Sequence, residues 1–148
     1  MFQAQEQVAV AEAEKGSGPA CRVLLIQADP GRLDILTGAF REAGLQVCGC
    51  ASVTKAKAAC RQDHFDMIVT DWLVEGLFAD EVLDFIQGAL RPRALPTVLV
   101  LSRLGEADTR ACLRPDSHVQ GVLTRPATRE GFAEWASLFA ATLRRTPV

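Results

Sequence analysis

The chain has 148 residues, 49% of them hydrophobic and 23% charged, with a formal net charge of −2. That is about one soluble domain, large enough to bury a core without disulfide or metal staples. The near-neutral balance gives no electrostatic footprint for nucleic acid, and no apolar run reaches the ~20 residues that span a bilayer.

The start, Met1 to Glu6, has neither a cationic n-region nor a long apolar segment, so a cytoplasmic setting is expected. Residues 1–20 differ from the rest. Gln, Glu and Ala dominate as far as Lys15, and Gly16-Ser17-Gly18-Pro19 then breaks any helix, which reads as a flexible extension before a domain over 21–145. The five cysteines are odd in number and form no Cys-x-x-Cys pair; they read as reduced thiols packed as small apolar side chains. Cys48 and Cys50 alternate on a predicted strand and share one face, which leaves a redox or metal role as the other reading.

From Arg22 onward short apolar runs alternate with amphipathic segments. Val23 to Ile26 reads as a strand leading into Asp29-Pro30, an N-cap residue followed by Pro at the first helical position. A helix carrying Leu33, Leu36, Phe40 and Ala43 follows and stops at Gly44. Gln46 to Ala51 predicts a second strand, and Ser52 caps a helix through Ala56, Ala59 and Cys60. Asp66 to Thr70 lacks polar alternation, the mark of a strand buried on both faces. After a loop near Glu75-Gly76, a helix is expected to bury Val82, Leu83, Phe85, Ile86 and Leu90. Thr97 to Leu101 is a fourth strand, Glu106 to Leu113 a weaker helix ended by Pro115, and Val119 to Leu123 a fifth strand. A final helix from about Thr128 carries Phe132, Trp135, Ala136, Phe139 and Leu143 as a core stripe, with Leu138 off it.

This order predicts an α/β fold, a doubly wound (βα)5 parallel sheet with right-handed crossovers and strand order 2-1-3-4-5. Its switch point lies between strands one and three, so Asp29 and Asp71 are expected to face one crevice at the carboxyl ends of the strands. Ser102 and Arg125-Pro126 follow strands four and five into the same crevice. An acid, a hydroxyl and a cation collected there describe a site for a phosphoryl group, whereas Gln27 and Ala28 lie where such a site wants acids.

Four stretches in this order, Arg22 to Pro30, Asp66 to Trp72, Pro96 to Ser102 and Gly121 to Pro126, resemble the receiver domains of bacterial two-component response regulators. The resemblance implies a receiver-like fold with Asp71 as phospho-acceptor, Ser102 and Arg125 as phosphoryl contacts, and no catalysis of its own. It also implies a sensor histidine kinase or another signalling protein as partner. Receivers place two adjacent acids after strand one to hold Mg²⁺ with the acceptor; here they are Gln27 and Ala28. Asp71 and Asp29 remain as metal ligands, so Mg²⁺ is expected to bind weakly, and Asp29 is explained by its N-cap duty alone. Arg125 stands where the family has Lys, and Val122 where many members carry an aromatic switch residue.

The implied reading is an atypical, pseudo-receiver-like module, with impaired phosphorylation at Asp71, acting through protein contact or as a homodimer. The tail beyond the final helix, Arg144 to Val148, is too short for a helix-turn-helix, so a stand-alone receiver that binds neither nucleic acid nor membrane is expected. A fully phosphorylatable receiver is the alternative. A flavodoxin-like binding protein or small phosphatase is a reading of another class. Against it, Gln27 to Gly31 lacks a phosphate-cradling loop, and Leu73 occupies the position of a second acid two residues after Asp71.

Overall fold

The computed structural model describes residues 21–124 and Glu134. In chain order the elements are β1 (Arg22–Ile26), α1 (Pro30–Glu42), β2 (Gln46–Cys50), α2 (Val53–Gln62), β3 (Met67–Asp71), β4 (Leu73–Val74), β5 (Leu77–Phe78), α3 (Ala79–Leu90), β6 (Thr97–Ser102), α4 (Glu106–Ala111) and β7 (Gly121–Thr124). Five strands form one parallel sheet in the order β2-β1-β3-β6-β7, which is the expected 2-1-3-4-5 with a small hairpin inserted after β3.

Side-chain alternation sorts the strands into two apolar layers. Leu24, Ile26, Ile68, Val98 and Val100 face Val53, Ala56 and Cys60 of α2 and Val82, Leu83 and Ile86 of α3. Val23, Leu25, Met67, Val69 and Leu101 face the other way, against Leu36, Ala39 and Phe40 of α1. Every residue of β3 is buried, as its unbroken apolar run requires of a central strand covered on both sides.

Local chemistry sets the helix starts. Asp29 caps α1 by accepting from the Gly31 N–H at 3.2 Å, and Ser52 caps α2 by accepting from the Lys55 N–H at 3.1 Å. Gly44, at φ 92°, turns the chain from α1 toward β2.

Three expectations are corrected. The Glu75-Gly76 loop is the turn of a two-residue β-hairpin, pairing Leu73 with Phe78 and Val74 with Leu77. Both turn residues have positive φ, 53° and 81°, the twist-matched geometry that closes such hairpins. Phe85 is not core: it is 48% exposed, and its ring lies under the Lys57 ammonium at 5.3 Å, because α3 turns that position away from the sheet. Asp71 and Ser102 are the last residues of their strands rather than the first beyond them, since pairing continues through Asp71–Leu101 and Ser102–Thr124. The extension over 1–20, Arg125-Pro126, the stripe over 132–143 and Leu138 lie outside the described residues.

Candidate functional site

The site is built at the carboxyl ends of β1, β3 and β6. The β1–β3 register runs from Val23–Met67 to Ile26–Thr70, so one further step sets Gln27 opposite Asp71, on the same face of the sheet as Leu25 and Val69. Gln27 continues the ladder on its other side, donating its N–H to the Cys50 carbonyl at 3.1 Å. Asp71 is 6% exposed and Gln27 2% exposed, so both polar side chains are held inside the crevice rather than on its rim.

The orientation of the Gln27 carboxamide follows from its neighbours. Its Oε1 accepts from the Asp29 N–H at 3.0 Å, which only the oxygen can do, and this identifies the other atom as Nε2. Nε2 is buried and has no hydrogen-bond partner among the described residues. A buried amide donor without an acceptor costs about 1–3 kcal/mol, so an anionic oxygen entering the crevice would find it already desolvated.

The other positions are occupied differently. Ala28 packs against the α2–α3 side of the core. The two carboxylate oxygens of Asp29 serve local partners, Oδ1 the Gly31 N–H and Oδ2 the Arg32 guanidinium at 3.5 Å. Ser102 is fully buried, and its hydroxyl oxygen accepts from Thr109 Oγ1 at 2.7 Å and from the Leu104 N–H at 3.0 Å. The structure therefore joins Ser102 to α4 through Thr109, a residue that sequence reasoning does not single out. No spacing could have suggested it, because Ser102 ends a strand and Thr109 lies in the helix beyond the intervening loop. Thr124, the residue before Arg125, pairs with Ser102, and Arg125 itself lies outside the described residues. Val122 pairs with Val100 and packs partly buried against the core.

The hairpin that follows Asp71 packs with the α2–α3 layer. The Trp72 N–H donates to the Leu101 carbonyl at 2.8 Å, and the Trp72 and Phe78 ring centroids lie 5.9 Å apart with the planes tilted by 35°. Glu75 reaches across to α2, where its Oε1 accepts from the Val53 N–H at 2.9 Å. The segment after Asp71 is thus tied to the helix that succeeds β2.

Mg²⁺ takes six oxygen ligands in near-octahedral geometry, usually including one or two carboxylates. Here Gln27 presents an N–H, Ala28 has no ligand atom, and both Asp29 oxygens are engaged elsewhere. No group of three His, Cys, Asp or Glu side chains among the described residues is arranged to hold a metal. Among the described residues, Asp71 is the carboxylate that faces the crevice, fewer acids than a tight Mg²⁺ site uses.

The fold matches solved structures over nearly their whole length. The receiver domain of the Francisella response regulator 1452 is 18% identical with a TM-score of 0.62, covering 83% of this chain and 98% of that one. A two-component response regulator from Clostridium difficile is 16% identical with a TM-score of 0.66, covering 84% and 97%. The chain has the receiver fold of response regulators. A CheY-like receiver domain from Methanospirillum hungatei JF-1 shares that fold at 15% identity and a TM-score of 0.63, covering 83% and 95%. By sequence, the chain is 29% identical over 92 residues to the transcriptional activator protein PfeR of Pseudomonas aeruginosa. That match covers 62% of this chain and 29% of the length of the curated relative. No protein-family model matches. Among the described residues, no helix is long and apolar enough to cross a membrane.

Proposed function

We propose that this receiver is a two-component signalling module in which Asp71 stands at the phospho-acceptor position and Mg²⁺-dependent phosphorylation is impaired. The observation that carries the reading is Gln27. Opposite the buried Asp71 carboxylate it offers an amide donor where receivers carry an acid. In the family's reaction the acceptor carboxylate attacks the phosphorus of a phosphohistidine, the P–N bond breaks and an acyl phosphate forms. Phosphoryl transfer depends on charge neutralisation at the transferred group. A single N–H donor neutralises far less of that charge than a divalent ion, so turnover at Asp71 is slow.

Output then rests on protein contact. A sensor histidine kinase or another signalling protein is the partner this reading implies, in a cytoplasmic setting, with self-association as the alternative. The likeness to PfeR extends over less than a third of that protein and carries no DNA-binding role to this chain.

The test is incubation with Mg²⁺ and acetyl phosphate, followed by intact-mass analysis of the wild type, Asp71→Asn and Gln27→Asp/Ala28→Asp. Weak labelling of the wild type, none of Asp71→Asn and strong labelling of the double variant is the expected pattern. Rapid, complete labelling of the wild type at sub-millimolar Mg²⁺ would establish an ordinary phosphorylatable receiver instead.

A further inference from the structure

The function leaves one cluster unused. Cys48 and Cys50 lie on β2, the edge strand of the sheet, opposite Leu24 and Ile26 of β1. Their side chains point to the α2 side, and the two sulfurs are 4.0 Å apart in a thiol–thiol hydrogen bond. Cys50 is buried, whereas Cys48 is only partly covered. Cys60 of α2 sits in the same apolar layer.

Gly49 between them faces the opposite way. A Cβ there would meet Thr37 Oγ1 at 3.0 Å and Leu33 Cδ1 at 3.1 Å, so α1 is seated against the strand at this point. The two cysteines are therefore held side by side by the pleat on one face and by helix packing on the other.

We propose that Cys48 and Cys50 form a redox-active dithiol on the edge strand, Cys48 attacking a hydroperoxide and Cys50 resolving it to an intramolecular disulfide. In the first step the Cys48 sulfur attacks a peroxide oxygen. The O–O bond breaks, Cys48 becomes a sulfenic acid, and the other oxygen takes a proton and leaves as water from hydrogen peroxide or as an alcohol from an organic hydroperoxide. In the second step the Cys50 sulfur attacks the Cys48 sulfur. The S–O bond breaks, the Cys50 proton leaves with the hydroxyl as water, and the S–S bond forms. An external dithiol returns the pair to the reduced form by two exchanges.

The environment suits those roles. Cys48 is pulled down to about 7, chiefly by the hydrogen bond from Cys50, with Arg22 and Arg41 helping while burial and Asp63 oppose. Cys50 is pushed strongly upward by the same bond and by burial, so it keeps the proton it later delivers. A partly accessible, low-pKa thiol beside a resolving thiol is the arrangement that oxidises selectively.

Closure has to bring the sulfurs from 4.0 Å to about 2.05 Å. Residues two apart in a strand have Cα atoms about 6.7 Å apart, at the upper limit for a disulfide. The strand must therefore pucker. β2 can do so because, among the described residues, it is hydrogen-bonded to β1 and to no other strand, and the resulting bond belongs to the readily reduced class.

The reduced full-length chain is treated with hydrogen peroxide, quenched, and analysed by intact mass and peptide mapping. The expected product has lost two hydrogens, retains three of the five thiols, carries a Cys48–Cys50 link, and reverts with dithiothreitol. Cys50→Ser stops at a Cys48 sulfenic acid trapped by dimedone, and Cys60→Ser behaves as wild type. A second readout is the pH profile of Cys48 alkylation by iodoacetamide. Its midpoint lies near 7 in the wild type and moves to the ordinary thiol range in Cys50→Ala, which has no donor to offer Cys48. At pH 7 that change slows alkylation about fivefold, after the lower intrinsic nucleophilicity of the acidic thiolate is allowed for. A link involving any other cysteine, a link between two chains, equally fast oxidation of Cys48→Ser, or an unchanged alkylation profile in Cys50→Ala would each overturn the proposal.

Discussion

Thr109→Val tests the connection between the site and α4. The substitution keeps the shape of the side chain and deletes the hydroxyl that donates to Ser102 Oγ at 2.7 Å. Both residues are fully buried, so no water takes the place of the lost donor. Ser102 Oγ keeps one partner, the Leu104 N–H at 3.0 Å, so the loss is that of one good neutral hydrogen bond in a dry site, about 1–2 kcal/mol. With a urea m-value of about 2 kcal/mol/M for a domain of this size, the unfolding midpoint falls by about 0.5–1 M at constant m. Ser102→Ala removes the shared acceptor and strands both the Thr109 hydroxyl and the Leu104 N–H, so it is expected to be worse. In the double variant only the Leu104 N–H is stranded, and the cycle returns a coupling of about 1 kcal/mol. A midpoint change in Thr109→Val equivalent to less than ~0.3 kcal/mol, together with additivity in the cycle, would refute the Ser102–Thr109 connection.

Three further outcomes rest on the same physical chemistry. Asp80 is 4% exposed and accepts from the Arg114 N–H and the Ser117 hydroxyl, so Asp80→Ala orphans two donors and lowers stability by about 2–4 kcal/mol; hydrogen exchange should show early loss of protection over 112–118. Glu75→Ala keeps a non-glycine residue at φ 53° and removes the acceptor for the Val53 N–H, costing about 1–2 kcal/mol in chemical denaturation, whereas Glu75→Gln stays near wild type. In Gln27→Asp/Ala28→Asp, Mg²⁺ titration followed by the fluorescence of Trp72, beside the acceptor, should saturate at lower metal than in the wild type, and identical curves would mean that acids at 27 and 28 do not reach an ion beside Asp71.

Much of the architecture was legible because it rests on short-range rules. Unbroken apolar runs marked strands buried on both faces, and Asp29-Pro30 and Ser52 marked helix starts. Their alternation left few topologies, and the observed order keeps the expected one. The hairpin over 73–78 was missed because Glu is an unusual residue at positive φ; the cue was the pair of apolar dipeptides around Glu75-Gly76. Phe85 was misplaced because it lies beside Ile86 in an apolar-rich stretch, and helical periodicity alone does not say where a buried stripe ends. Thr109 was invisible because a hydroxyl in a weak helix carries no pattern.

The chain by itself determined the fold class, the strand-end positions of Asp71 and Ser102, and the replacement of acids by Gln27 and Ala28, since residue identity and periodicity are local properties. Tertiary structure alone decided which atom of Gln27 is left facing the crevice, that Asp29 is turned to its own helix, and that Ser102 answers to Thr109. It also set Cys48 against Cys50 at thiol–thiol distance. Those outcomes depend on register and on competition among hydrogen-bond partners, which exist only after distant segments have come together.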